Sequence, residues 1–508
     1  MTSKSQSQQV EIELEKAQAD DCELFFTWRN LPEIVALGTL QNKVSLEEHQ
    51  AWFLKKIKSK NSLIFTISQN KRKIGQIRFD KNGTDDCTVS IYLLPGFPGK
   101  GSGVDALKKG SLEAFSKLKI QKITAIIRSD NEISQRAFSK AGFIKLTAID
   151  NQHIKFELPK FPLIPHNKIQ SDQHLEESVL HTLRSGYWAC GPKVSELEAE
   201  FCIHSKFKYA IAVASGLSAI RLSLLALNIK KGDKVLVPAY SCVALANAVL
   251  ACDATPVAVD VEPGSWNMSF KEFSELNKKH KAKACIIVNT FGATTSLDPF
   301  LKTGIPIIED CSHSLIKSSR PKYDKNRIVI QSFYATKLLG AGEGGIILTN
   351  TEKIASFCKS YRDYSDQKSN GKRLNDKMTD LEATMALSRL TTLAKSIEKR
   401  KALAKKYTEL LSKHAMKYNL VLPNMESNKT FYRYSILLNG TNVEKLTKTL
   451  KNYGIDAAHP VENWLGDSIK KTAVASNAFK NLISLPLYPA LSEEDISRIC
   501  YCFLKSLK

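Results

Sequence analysis

Beyond residue 230, short and nearly uninterrupted apolar runs alternate with stretches of helical spacing. The runs are Lys234–Pro238, Thr255–Val259, 284–289 and 305–309. Strands without a polar face are buried on both sides, and strands joined in parallel need a long crossover, usually a helix. The alternation therefore predicts an α/β fold with a mostly parallel sheet. At 508 residues the chain is too long for one ordinary domain, and roughly 150 residues per domain suggests about three compact units. Pro159, Pro162 and Pro165 interrupt the segment that follows residue 158. Closely spaced prolines disfavour helix and central strand alike. A linker is expected at 159–172, separating a unit over 1–158 from the α/β portion.

Before that seam the pattern is mixed. Residues 24–29 and 46–57 have helical spacing, while 63–68, 73–79 and 88–94 are enriched in β-branched and aromatic residues and predict strands. A glycine-rich turn, Gly96-Phe97-Pro98-Gly99-Lys100-Gly101-Ser102-Gly103, then precedes a helix expected at 104–118. Strand, glycine turn and helix start together present free backbone N–H groups to a phosphate. The same pattern also suits an ordinary turn, and it lacks the Lys-Ser/Thr pair of a P-loop. Further on, a strand at 123–128 leads into Asn131, Ser134, Phe138, Gly142 and Phe143.

Together these segments resemble the GNAT acetyltransferase superfamily over about 10–157. The resemblance implies that Gly99, Lys100, Gly101, Ser102 and Gly103 hold the pyrophosphate of acetyl-coenzyme A, with Asn131 beside its pantetheine arm. Trp28-Arg29-Asn30 and Ser45, His49 and Trp52 are similar to the subgroup that acetylates amino sugars and ribosomal proteins. Two residues depart from the family pattern. Pro98 stands where Arg or Gln is usual, and Phe138 where many members have a Tyr that protonates the leaving thiolate. Phe has no proton to give, so water would have to serve. A retained but catalytically silent fold is the alternative. His49 is a candidate base, although a helix histidine near aromatics is more often a packed one.

The densest chemistry lies downstream. The apolar run at 305–309 ends in Glu309-Asp310, followed by His313 and then Ser332-Phe333-Tyr334-Ala335-Thr336-Lys337 and Gly342-Glu343-Gly344-Gly345. An acid at the carboxyl end of a parallel strand, with a lysine in the next connection, suits pyridoxal-phosphate chemistry. The acid keeps the pyridine nitrogen protonated; the lysine binds the cofactor and moves the proton. By spacing alone, a solvated surface lysine fits as well.

SFYATKLLGAGEGG is similar to the cofactor-lysine segment of the DegT/DnrJ/StrS sugar aminotransferase family, and the likeness extends over about 166–508. Ser185-Gly186, Gly191-Pro192, Ala214 to Ala219, Val237 to Asn247, Asn375 with Met378 to Ala383, and Leu485 to Leu491 match its segments in order. The resemblance implies fold type I, the aspartate aminotransferase-like architecture, with a large domain at 173–400 and a small one at 401–508. It implies Lys337 as the Schiff-base lysine, Asp310 at the pyridinium nitrogen, and His313 at the ring hydroxyl. Leu217, Ser218 and Ser332 would hold the phosphate, and Asn375 would reach the phosphate of a partner subunit in a homodimer. Cys242 replaces the usual stacking aromatic, and Leu217 a frequent Thr.

The two resemblances imply a bifunctional enzyme of amino-sugar synthesis. A nucleotide-linked keto-deoxysugar would be transaminated, with glutamate as donor, and the new amine acetylated from acetyl-coenzyme A. One alternative is a sugar aminotransferase with an inert or protein-directed GNAT domain. Another is a non-catalytic regulator binding nucleic acid through its charge, for Lys+Arg of 73 against Asp+Glu of 51 gives +22. The lysines are dispersed, however, which favours a solvated basic surface, and a regulator needs neither Asp310 nor Lys337. No nucleic acid partner is expected. The opening MTSKSQSQQ has no signal-peptide run, and no segment reaches the roughly 18 uncharged apolar residues of a membrane span. The cysteines, Cys500-x-Cys502 being the nearest pair, lack metal-ligand spacing. Reduced thiols, no metal, no membrane and a cytoplasmic location are expected.

Overall fold

The computed structural model describes residues 12–38, 41–97, 101–161, 163–316, 324–364, 373–466 and 472–507. The chain forms two compact units, Met1–Leu163 with Asn452–Gly454 and Ile164–Lys451 with Ile455–Lys508.

The first unit is built on a seven-stranded sheet in the order β1-β2-β3-β4-β5-β7-β6. Its strands are β1 (Ile12–Lys16), β2 (Ser62–Gln69), β3 (Arg72–Asn82), β4 (Asp86–Leu93), β5 (Lys122–Arg128), β6 (Ile144–Ala148) and β7 (His153–Pro159). Neighbours are antiparallel except β4 and β5. That parallel pair is short, Asp86–Thr88 against Lys122–Thr124, so from Val89 onward β4 pairs with β3 and not with β5. The helix Ser102–Lys117 crosses from one to the other, as a parallel pair requires. It buries Ala106, Leu107, Gly110 and Ala114 in a core with Ile77, Phe79, Ile123 and Phe156. Pro159, expected in a linker, is the last residue of β7, opposite Lys122.

The second unit carries a seven-stranded sheet ordered β10-β9-β11-β12-β13-β14-β8. These are β8 (Tyr209–Val213), β9 (Lys234–Pro238), β10 (Thr255–Val259), β11 (Ala284–Val288), β12 (Ile307–Asp310), β13 (Arg327–Ser332) and β14 (Gly345–Thr349). All neighbours are parallel except those of β14, which runs against both β13 and β8. The sheet is the mostly parallel one that the apolar runs predict. Its strands bury both faces: Ile211, Val237, Ile286, Ile308 and Ile330 pack on one side, and Leu236, Cys285, Ile287 and Ile307 on the other. A smaller antiparallel sheet joins β15 (Leu420–Val421), β16 (Tyr434–Leu438) and β17 (Leu482–Leu485).

The long helix Asp380–Ser412 packs along the helices Gln173–Ser185, Pro192–Ser205 and Glu493–Ser506. It starts at a capping box between Thr379 and Glu382, which satisfies backbone donors at its first turn. The division expected at 400/401 falls within it. No described helix is long and apolar enough to cross a membrane, and all of the cysteines are free. Among the described residues no cluster of His, Cys, Asp and Glu could hold a metal ion.

Candidate active site

In an open α/β sheet, ligands bind where connections leave the carboxyl ends of the strands. β9 ends at Pro238, β12 at Asp310 and β13 at Ser332. β8 is parallel to β13, because both run against β14, and it ends at Val213. The residues that follow these ends include Leu217 and Ser218, Cys242, His313 and Lys337, so the expected residues of this unit emerge along one edge. Asn375 is drawn to the same edge by its neighbour, since Ala214 N donates to Asp376 O at 2.8 Å.

Asp310 is 6% exposed, and Ser312 N donates to its Oδ1 at 2.8 Å. Burial raises its carboxyl above the usual range, opposed by the Ser312 bonds and the Lys337 charge. Lys337 Nζ lies 2.8 Å from His313 Nε2. Burial and the charges of Lys337 and Arg433 hold the His313 imidazole well below its ordinary value, so the ring is neutral. Where Nε2 accepts from Nζ, the ring proton sits on Nδ1, which is buried with no hydrogen-bond partner among the described residues.

The phosphate-type corner is built from a turn and a hydroxyl. Ser215 caps the helix Gly216–Ala226: its Oγ accepts from Ser218 N at 3.0 Å. A Cβ on Gly216 would stand 2.6 Å from Ser332 Cβ, so glycine lets this helix start lie directly against the end of β13. First-turn N–H groups have no intrahelical partner, and a helix start beside a serine hydroxyl is a ready anion site. Leu217, Cys242 and Asn375 are exposed at this edge.

In the first unit, Gly101 has φ +86 and caps the helix Ser102–Lys117, a conformation that favours glycine. Ser102 is 1% exposed and its Oγ bonds Gln69 Oε1 at 3.2 Å. Gly103 lies in the first turn of that helix. Gly99 and Lys100, like Pro98, lie outside the described residues. Asn131 caps the helix Glu132–Lys140, its Oδ1 accepting from Ser134 N at 3.0 Å. Phe138 is buried in the core, edge-on to Phe143 at 4.8 Å. His49 packs among Phe26, Trp52 and Phe53. Burial lowers its imidazole, and among the described residues its Nε2 is buried without a partner, as are Arg29 Nη1, Gln76 Nε2 and Tyr92 Oη.

A sequence profile of the DegT/DnrJ/EryC1/StrS aminotransferase family matches residues 170–504. The chain belongs to that family. A profile described as an acetyltransferase (GNAT) domain matches residues 11–144. One relative, the UDP-2-acetamido-2-deoxy-3-oxo-D-glucuronate aminotransferase of Pseudomonas aeruginosa, is 28% identical over 344 residues, 64% of this chain and 94% of that protein. Among solved structures, a DegT DnrJ EryC1 StrS aminotransferase from Brucella abortus superposes with a TM-score of 0.58 at 25% identity, covering 65% of this chain and 95% of its own. Helicobacter pylori PseC, an aminotransferase involved in the biosynthesis of pseudoaminic acid, shares the fold with a TM-score of 0.61 at 20% identity, covering 68% and 99%.

DegT-family aminotransferases use pyridoxal phosphate and GNAT domains use acetyl-coenzyme A. The residues present fit the former: the Gly216–Ser332 approach leaves a phosphate cradle, and the buried, unpartnered His313 Nδ1 offers a donor at the same edge. Several residues packed around His313 and the start of the helix Gly216–Ala226 carry no signal in the sequence. The Tyr432 ring stacks on His313 with centroids 4.1 Å apart and planes 10° from parallel, and Lys337 Nζ lies 5.1 Å over its face. Burial alone would raise the Tyr432 phenol, but the Lys337 and Arg433 charges bring it below its ordinary value. Arg400 holds this layer from behind, donating to Tyr432 O at 3.3 Å and Leu487 O at 2.9 Å. Arg221 and Asp376 form a buried ion pair that ties the phosphate-turn helix to the segment bearing Asn375.

Proposed function

We propose that this DegT-family enzyme aminates a keto carbon of a nucleotide-linked deoxysugar, with glutamate as amino donor, and that its GNAT domain acetylates the new amine. The observation that carries the first half is Lys337 Nζ, 2.8 Å from neutral His313 and within electrostatic reach of buried Asp310. Bound pyridoxal phosphate supplies an electron sink. Lys337 holds the cofactor at rest and moves the proton at the reacting carbon. Asp310 keeps the ring nitrogen protonated, and His313 bonds the ring hydroxyl. Leu217 N, Ser218 and Ser332 would hold the phosphate, and Cys242 would stand where the family has a stacking aromatic. Asn375 completes the phosphate site of a second subunit, so the active form is a homodimer. The similarity to an aminotransferase of an oxidised UDP-sugar supports the nucleotide-sugar class.

In the GNAT domain, Gly101, Ser102 and Gly103, with Gly99 and Lys100, offer N–H groups to the pyrophosphate of acetyl-coenzyme A, and Asn131 flanks its arm. The β4 edge that β5 leaves unpaired is where an extended acyl chain would add hydrogen bonds. The free thiols fit work in the cytoplasm. A second reading, in which the GNAT domain is inert or directed at a protein, is favoured by one fact: Phe138 is a core residue with no proton to donate.

Absorbance spectra with pyridoxal phosphate test the first half. Wild type should show a band near the visible edge that glutamate bleaches, and Lys337→Ala should show none. Absence of any lysine-dependent band in wild type would sink the reading. Acetyl transfer to the aminated sugar, followed by mass, separates the two readings of the GNAT domain.

A further inference from the structure

Arg433, which meets the same Tyr432 ring as Lys337, has no anionic partner among the described residues. Its Nη1 lies 3.2 Å from His166 Nε2 and 3.3 Å from Nδ1, and its Cζ lies 5.4 Å over the Tyr432 ring. His166 is a neutral acceptor: burial and the Arg433 charge hold it down to about 4, against a raising effect of Asp456. Asp456 Oδ2 is engaged by His166 N at 3.4 Å, and His166 Nε2 also meets Ser484 Oγ at 3.0 Å.

His166, Asn167, Tyr432, Arg433 and Ser484 line one small cavity. The cavity adjoins the site on two sides. Asn167 Nδ2 donates to the carbonyl of Thr336, the residue before Lys337, at 3.3 Å. Tyr432 is shared outright, since Lys337 Nζ lies 5.1 Å over the same ring. A guanidinium offers its donors as a planar fork that matches a carboxylate in two bonds. Here one side of the fork rests on a neutral histidine and an aromatic face, which hold its plane without consuming its charge.

We infer that Arg433, oriented by His166, is a carboxylate-binding subsite for the substrates that react at Lys337. The inference rests on the aminotransferase reading. Two substrates bring a carboxylate to such a site: the amino-acid donor, and a sugar whose exocyclic carbon is oxidised to the acid.

Isothermal titration of the holoenzyme separates them, using glutarate as a diacid without an amine, and UDP-glucuronate against UDP-glucose as a pair differing at that carbon. In Arg433→Gln, binding of glutarate, of UDP-glucuronate or of both should weaken by about 10- to 100-fold, the loss of a charged hydrogen-bond partner. Arg433→Lys, which keeps the charge without the fork, should fall in between. UDP-glucose binding should not change. Loss confined to glutarate assigns the donor's carboxylate; loss confined to UDP-glucuronate assigns the sugar's. Unchanged binding of both acids in Arg433→Gln or Arg433→Lys, or equal weakening of UDP-glucose, would overturn the subsite, as would wild type binding neither acid. Failure of the aminotransferase reading is visible separately, as a missing lysine-dependent absorbance band in wild type.

Discussion

Single atoms decide how closely the cofactor corner can be built. The Gly216 Cβ position, 2.6 Å from Ser332 Cβ, leaves no room for a methyl group, so Gly216→Ala must push the helix start away from β13. Pyridoxal-phosphate affinity should fall by about tenfold or more, the loss of one charged hydrogen bond's worth of binding, as measured by equilibrium titration of cofactor fluorescence. His166 gives a residue-level test in the pH dependence of stability. Its imidazole is held down to about 4 in the folded chain, against 6.5 ordinarily. As pH falls, the unfolded chain therefore takes up the proton first. The stability associated with neutral His166 is complete above about pH 6.5 and is lost progressively as pH falls through about 4. Melting temperatures at stepped pH should fall over that window in wild type and fall less in His166→Gln. Equal slopes in the two proteins would contradict the assignment.

Between elements, buried charges do the joining. Asp380, fully buried in the first turn of the long helix, accepts from the backbone N–H groups of Gly191 at 2.7 Å, Val194 at 3.2 Å and Lys193 at 3.3 Å. One carboxylate thus holds the starts of the helices Pro192–Ser205 and Asp380–Ser412 together. Asp380→Ala leaves three backbone donors unmet, Val194 N buried and Gly191 N and Lys193 N part-buried, at up to about 1–3 kcal/mol for the buried one, and a destabilisation of at least that size should appear in denaturant unfolding. Arg221 and Asp376 make a comparable link. Removing one member strands the other charge, which costs about 3–5 kcal/mol. Because Asp376 adjoins Asn375 and Arg221 lies in the phosphate-turn helix, Asp376→Ala should lower cofactor affinity as well as stability; loss of stability alone would show that the pair is only structural.

Each of the two units has its own apolar core, Phe79, Ile123 and Phe156 in the first and Val237, Ile286 and Ile330 in the second. Separate cores predict separable chemistry. Lys337→Ala should abolish amination while leaving acetyl-coenzyme A affinity unchanged in calorimetry, and a matching loss of both would show that the activities are coupled. On the proposed function the two reactions would be consecutive on one chain, and the product would be an N-acetylated amino sugar.

Local signals account for much of what could be read before any coordinates. Continuous apolar runs at intervals that admit a helix require a parallel sheet, because strands buried on both faces must be covered on both faces. The Asp310 and Lys337 positions follow from the same pattern, one at a strand end and the other in the next connection. The glycine turn was readable because few other residues adopt φ +86, as Gly101 does. The reach of such signals ends where a residue's role depends on long-range pairing. Tyr432, Arg433 and Arg400 carry no periodicity or turn chemistry that marks them. Tyr432 reaches Lys337 by stacking on His313, and Arg433 and Arg400 reach Tyr432 in turn. The core burial of Phe138 and the buried Asp380 likewise depend on which distant groups fold around them. Period and turn type are properties of neighbouring residues, whereas burial and partner choice are set by the whole packed chain.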